Sequence, residues 1–104
     1  MTEEWGAVLV VDDDAEMRSL VCDVLQDRGH QCVSVGSGDE ALRQLAEQDF
    51  AVVLTDLRMP GLDGFAVLEA LRTRQPDLPV IVLTGHGDVP HAVRAMRMGA
   101  EDFI

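Results

Sequence analysis

Residues 7–29 read AVLVVDDDAEMRSLVCDVLQDRG, and two periodicities meet in this one stretch. Ala7-Val8-Leu9-Val10-Val11 is an unbroken apolar run rich in β-branched residues, the pattern of a strand covered on both faces. After three consecutive acids, Met17, Leu20, Val21, Val24 and Leu25 recur at i, i+3, i+4, i+7 and i+8, which predicts an amphipathic helix with Gly29 as its stop. A doubly covered strand feeding directly into a helix is the unit of a parallel α/β sheet.

The same alternation continues outward. Strands are predicted at Gln31 to Val35, Ala51 to Thr55, Val80 to Leu83 and Asp102 to Ile104. A second helix is predicted from Ser37 or Gly38 to about Gln48, with Ser37 and Glu40 spaced as a capping box and Ala41, Leu42, Leu45 and Ala46 as its apolar positions. A third runs from about Gly64 to Arg74, burying Phe65, Leu68 and Leu71, and is barred from continuing by Pro76. A fourth starts near Pro90, buries Val93 and Met96, and stops at Gly99. The order βαβαβαβαβ predicts one α/β domain over residues 1–104, a doubly wound five-stranded parallel sheet, in which the flavodoxin-like order 2-1-3-4-5 would make the first and third strands neighbours.

Composition narrows the function. The chain carries a net charge of −11, and its eight basic residues are all arginine. So acidic a surface repels nucleic-acid phosphates and anionic lipid, so neither direct nucleic-acid nor membrane binding is expected of this segment. With no apolar run of bilayer-crossing length, the protein is expected to be soluble and cytoplasmic. Cys22 and Cys32, in apolar surroundings and without metal-ligand spacing, read as buried free thiols rather than a disulfide.

In an open parallel sheet, ligands bind beyond the carboxyl ends of the strands where the winding reverses. Asp12, Asp13 and Asp14 follow the first strand, Asp56 ends the third, and Thr84 ends the fourth. If the first and third strands are neighbours, three carboxylates converge. Such a cluster needs a cation, and an all-oxygen donor set suits Mg²⁺, which keeps waters and room for a phosphate oxygen. An aspartate beside that cation can serve as a covalent phosphoryl acceptor, with the Thr84 hydroxyl donating to phosphoryl oxygens.

The stretches LVVDDDAEMR, VLTDLRMPGLDGF, PVIVLTGHGD and AVRAMRMGAEDFI, in this order and at these spacings, resemble the receiver domains of two-component response regulators. The resemblance covers nearly the whole chain. It implies a phosphorylation switch rather than an enzyme, with Asp56 as phospho-acceptor and Asp12 and Asp13 as the acidic pair. Asp13, Asp56 and the backbone carbonyl of Arg58 would be the metal ligands, Thr84 the switch hydroxyl and Phe103 the switch aromatic. It also implies a sensor histidine kinase as phosphodonor and an output domain outside this chain. TGHGDVPHAVRAM looks most like receivers of σ54-dependent or helix-turn-helix transcriptional regulators. Receivers normally continue past the DFI-like strand into Lys-Pro and a fifth helix. This sequence stops at Ile104 and contains no lysine, so it reads as a receiver truncated before its last helix, with apolar surface left exposed or covered in a homodimer.

Simpler roles compete at several positions. Asp13 with Glu16 fits a capping box, and Asp14 fits a helix cap equally well. Thr84 is an ordinary strand residue and Phe103 an ordinary core aromatic, while His30, His86 and His91 read as solvated. Two other functions are distinguishable in principle. A Mg²⁺-dependent aspartyl phosphohydrolase would need a second acid where this chain has Arg58. A pseudo-receiver that binds partners without phosphorylation is favoured by the missing lysine.

Overall fold

A computed structural model describes residues 6–83 and 89–104. The strands are β1 (Ala7–Val11), β2 (Cys32–Val35), β3 (Phe50–Asp56), β4 (Val80–Leu83) and β5 (Asp102–Phe103), alternating with α1 (Ala15–Asp27), α2 (Gly38–Glu47), α3 (Gly64–Arg74) and α4 (Val89–Arg97). They form one sheet, every pair parallel as the alternation predicts, in the flavodoxin-like order β2-β1-β3-β4-β5 that makes β1 and β3 neighbours.

Alternation along each strand divides the core in two. Leu9, Val11, Val53, Val80 and Val82 point to the side that also buries Ala41 and Leu45 of α2, Val67, Leu68 and Leu71 of α3, and Ala95 of α4. Val8, Val10 and Leu54 point to the other, where half-buried Val21, Cys22 and Leu25 of α1 pack with Val52, Ile81 and Leu83. The two sides are unequally covered: α1 has no fully buried residue. The predicted α1 stripe is therefore only partly a core face. Val21 and Leu25 meet the sheet, whereas Met17, Leu20 and Val24 are 41%, 59% and 49% exposed.

The caps account for the helix limits. Ser37 Oγ accepts from Glu40 N (3.2 Å), as the capping-box spacing predicts. Gly29, at φ +89°, lets the chain leave α1 while His30 N donates to Leu25 O. Two predicted faces need correction. Ala46 of α2 is exposed. On α4 the buried positions are Ala92 and Ala95, while Val93 and Met96 are exposed. Small residues let this helix lie close to the sheet, and that proximity outweighs the larger hydrophobic area of its neighbours.

The cysteines also differ from expectation. Cys22 of α1 and Cys32 of β2 are half-buried and joined in a disulfide, with Cα atoms 5.7 Å apart, within bridging range. The α1-to-β2 turn folds the helix back along the edge strand and brings residues ten apart face to face, which spacing alone does not reveal.

Candidate functional site

β1 and β3 are adjacent and in register, Val11 opposite Thr55, so the residues that follow them emerge side by side at the same edge. One carboxylate oxygen from each of Asp12, Asp13 and Asp56 lies within 4.8 Å of the others. Asp12 is buried, Asp56 half-buried and Asp13 exposed, so the cluster grades from the core to solvent.

Each carboxylate is positioned by its own local structure. Asp12 N donates to Val35 O of β2 (3.2 Å), its carbonyl accepts from Arg18 Nη1 (2.7 Å), and its Oδ1 accepts from Asp14 N (3.0 Å). Asp14 is the N-cap of α1, accepting from Glu16 N and Met17 N. The competing cap role therefore falls to Asp14, and Asp13 is left to face the cluster. Asp56 Oδ1 accepts from Arg58 N (3.2 Å), which turns the chain out of β3, and Thr55 beneath it is fully buried with its hydroxyl donating to Asp56 O.

The loop after β3 is held by close backbone approaches that the sequence does not announce. A Cβ on Gly64 would lie 2.2 Å from Asp56 O and 2.8 Å from Leu57 Cα, and one on Gly38 would lie 2.2 Å from Leu62 O. Asp63 caps α3 through Ala66 N (3.0 Å). Beyond it, Leu57, Met59, Pro60 and Phe65 line an open groove with Arg94, whose guanidinium lies 4.2 Å over the Phe65 ring. His91 packs against the same ring at 5.9 Å, so it is not simply solvated.

Burial is the largest cause raising the Asp12 carboxyl above its usual range, opposed by the bond from Asp14 N and reinforced by the charges of Asp56, Asp13 and Asp14. Asp56 is likewise raised, first by burial and then by Asp13, against the bonds from Arg58 N and Leu57 N and the Arg58 charge. Both groups hold protons more tightly folded than unfolded. Without a cation, stability from these two therefore rises as pH falls from neutrality through their raised values toward the unfolded value of 3.8. Asp12→Asn keeps the acceptor for Asp14 N and removes a buried charge. It is expected to stabilise the metal-free protein at pH 7 by about 1 kcal/mol, or about 4–8 °C in Tm. The gain should fade on acidification, and thermal melts in a chelator at several pH values would read it.

The donor set fits a hard divalent cation: three carboxylates, with neither histidine nor thiolate in the cluster among the described residues. Of the other sequence candidates, Phe103 lies on β5 opposite Val82, 39% exposed, and Thr84 lies outside the described residues.

Residues 8–104 match the family described as response regulator receiver domain. The chain is 45% identical to the response regulator protein FleR of Pseudomonas aeruginosa over 97 residues, which cover 93% of this chain and 20% of FleR. It is 42% identical to the DNA-binding transcriptional regulator NtrC of Salmonella typhimurium, covering 95% of this chain and 21% of NtrC. This chain thus spans about a fifth of these regulators' length. Among solved structures, the receiver domain of NtrX from Brucella abortus superposes with a TM-score of 0.89 at 39% identity, covering 93% of this chain and 82% of that one. The response regulator protein TrrA from Thermotoga maritima, in complex with Mg²⁺-BeF, superposes at 0.85 with 27% identity, covering 95% and 84%.

Proposed function

Since the chain belongs to the response regulator receiver domain family, we propose that it is a phosphoryl-accepting switch whose acceptor is Asp56. The observation that supports this most is the convergence of Asp12, Asp13 and Asp56 within 4.8 Å where β1 and β3 end. The TrrA complex with Mg²⁺-BeF supports Mg²⁺ as the cation. Asp13, Asp56 and the Arg58 carbonyl would hold it, with buried Asp12 supplying further negative charge. When bound, Mg²⁺ neutralises the charge that otherwise opposes approach of a phosphoryl group to a carboxylate.

The chain's own residues perform the rest. The bond from Arg58 N holds one Asp56 oxygen in place, and a carboxylate oxygen of Asp56 attacks phosphorus. The acceptor bond forms as the donor's P–N or P–O bond breaks, and the electron pair leaves with the donor. Asp56 becomes an acyl phosphate, and the added negative charge is the signal. The Thr84 hydroxyl is proposed to move toward the phosphoryl oxygens, and Phe103, exposed at 39%, to turn inward after it. That movement would alter the surface of α4 and β5, where Val89, Val93 and Met96 are also exposed.

The phosphodonor is proposed to be a sensor histidine kinase in the cytoplasm, and the receiver of the signal an output domain that regulates transcription, the role named for NtrC. Homodimer formation through the exposed apolar faces would be a second consequence. Incubation with Mg²⁺ and phosphoramidate, a small P–N donor, followed by borohydride trapping and peptide mapping, should mark Asp56. Turnover of small phosphate esters would instead favour a phosphohydrolase. An unmarked Asp56 would favour a pseudo-receiver that binds partners without phosphorylation.

A further inference from the structure

We propose that Cys22 and Cys32 form a reversible dithiol–disulfide pair that sets how firmly the acidic pocket is held, with low-molecular-weight disulfides as oxidant and dithiols as reductant. The proposal rests on the cytoplasmic receiver reading in one respect. In a reducing compartment a disulfide is a transient, redox-sensing element rather than a permanent staple.

The geometry lies in how α1 and β2 meet twice. At the start of β2, Cys32 is bonded to Cys22, midway along α1. At the other end both elements hold Asp12. The last residue of β2, Val35, accepts from Asp12 N (3.2 Å), and Arg18 of α1 donates to Asp12 O (2.7 Å). The Arg18 guanidinium also reaches over the end of β2, with Nη1 3.0 Å from where a Cβ on Gly36 would stand. The bridge and the pocket are thus joined through one two-element frame, at opposite ends of β2 and about one helical turn apart on α1.

The helix is the lightly fastened side of that frame. Among the described residues β2 pairs with β1 alone and buries Val35 in the core, whereas α1 has no buried residue, its sheet contacts being the half-buried Val21, Cys22 and Leu25. A covalent link to a lightly held helix has more influence on its position than one between elements already locked by a core.

The chemistry is ordinary exchange. One cysteine thiolate attacks a sulfur of the small disulfide, forming a mixed disulfide and expelling one thiolate. The second cysteine thiolate then attacks the protein sulfur of that mixed disulfide, closing Cys22–Cys32 and expelling the other. Two electrons pass to the oxidant, which leaves as two thiols carrying the two protons lost by the cysteines. A dithiol reductant reverses both steps.

The test uses the chain equilibrated in glutathione or dithiothreitol buffers of graded potential. Alkylation with intact-mass readout follows the thiols, and calorimetric Mg²⁺ titration is made on the oxidised and reduced end states. Both thiols should disappear together in a single two-electron transition. Mg²⁺ should bind about fivefold more tightly to the oxidised protein, a coupling at the low end for linked sites. The double variant Cys22→Ser/Cys32→Ser should bind Mg²⁺ like the reduced protein in every buffer. Cysteines that alkylate independently or stop at mixed disulfides would overturn the proposal, as would equal Mg²⁺ affinity in the two states. A bridge that stays closed in the most reducing buffer would also overturn it. If Mg²⁺ affinity follows the bridge but neither state accepts a phosphoryl group, the redox link stands and the phospho-acceptor reading fails.

Discussion

Gly64→Ala is expected to cost at least about 3 kcal/mol, the upper end for an overpacked site and a large share of the roughly 5–15 kcal/mol that holds a small domain together. The new Cβ would meet Asp56 O at 2.2 Å and Leu57 Cα at 2.8 Å, both backbone atoms without a rotamer to yield. Either α3 moves off the sheet, giving up the packing of Phe65, Leu68 and Leu71, or the end of β3 moves and carries Asp56 with it. Urea unfolding followed by circular dichroism would measure the first, and loss of Mg²⁺ affinity at low urea the second. Gly61→Ala is the comparison: Gly61 sits at φ +74° with open space around its would-be Cβ. Only the left-handed backbone is penalised there, at about 1–2 kcal/mol. Equal costs at the two positions would mean that close approach at Gly64 is not what holds α3 against the acceptor strand.

Asp13→Asn should reduce Mg²⁺ affinity about 100-fold, because an exposed carboxylate in the cluster is replaced by a neutral, weaker oxygen donor. Asp14→Asn should change that affinity less than about twofold. Its side chain serves as the α1 cap, and asparagine caps a helix as well as aspartate does. The pair separates cation binding from mere acidity, since each variant removes one negative charge from the same three-residue run. Calorimetric titration of Mg²⁺ into both variants would decide it, and a loss shared equally would place Asp13 outside the cation site.

The sequence was most legible where one residue type could serve only one purpose. Unbroken apolar runs such as Ala7–Val11 admit little but a doubly covered strand, and the parallel sheet followed from the α/β alternation, whereas its order was legible only as the flavodoxin-like arrangement. The convergence of Asp12, Asp13 and Asp56 followed from that order, because neighbouring parallel strands end on the same side. Legibility failed where contact depends on how closely two elements approach. On α4, Val93 and Met96 outweigh Ala92 and Ala95 in hydrophobic area, yet a helix lying close to the sheet buries the small pair. Gly64 read as a helix start, and its role as the contact point between α3 and Asp56 exists only in three dimensions. The Cys22–Cys32 bridge likewise depends on how α1 lies along β2. The choice between Asp13 and Asp14 as helix cap was open in the sequence and was decided by the bonds from Glu16 N and Met17 N to Asp14.

Whether the three-carboxylate pocket makes Asp56 a cation-assisted phosphoryl acceptor is read most directly from the intact mass of the chain after incubation with acetyl phosphate, with Mg²⁺ or with a chelator, beside the Asp56→Asn variant. A gain of one phosphoryl group is expected in the wild-type chain with Mg²⁺, and none in the chelator or in the variant. An unchanged mass with Mg²⁺, or an equal gain in Asp56→Asn, would contradict it.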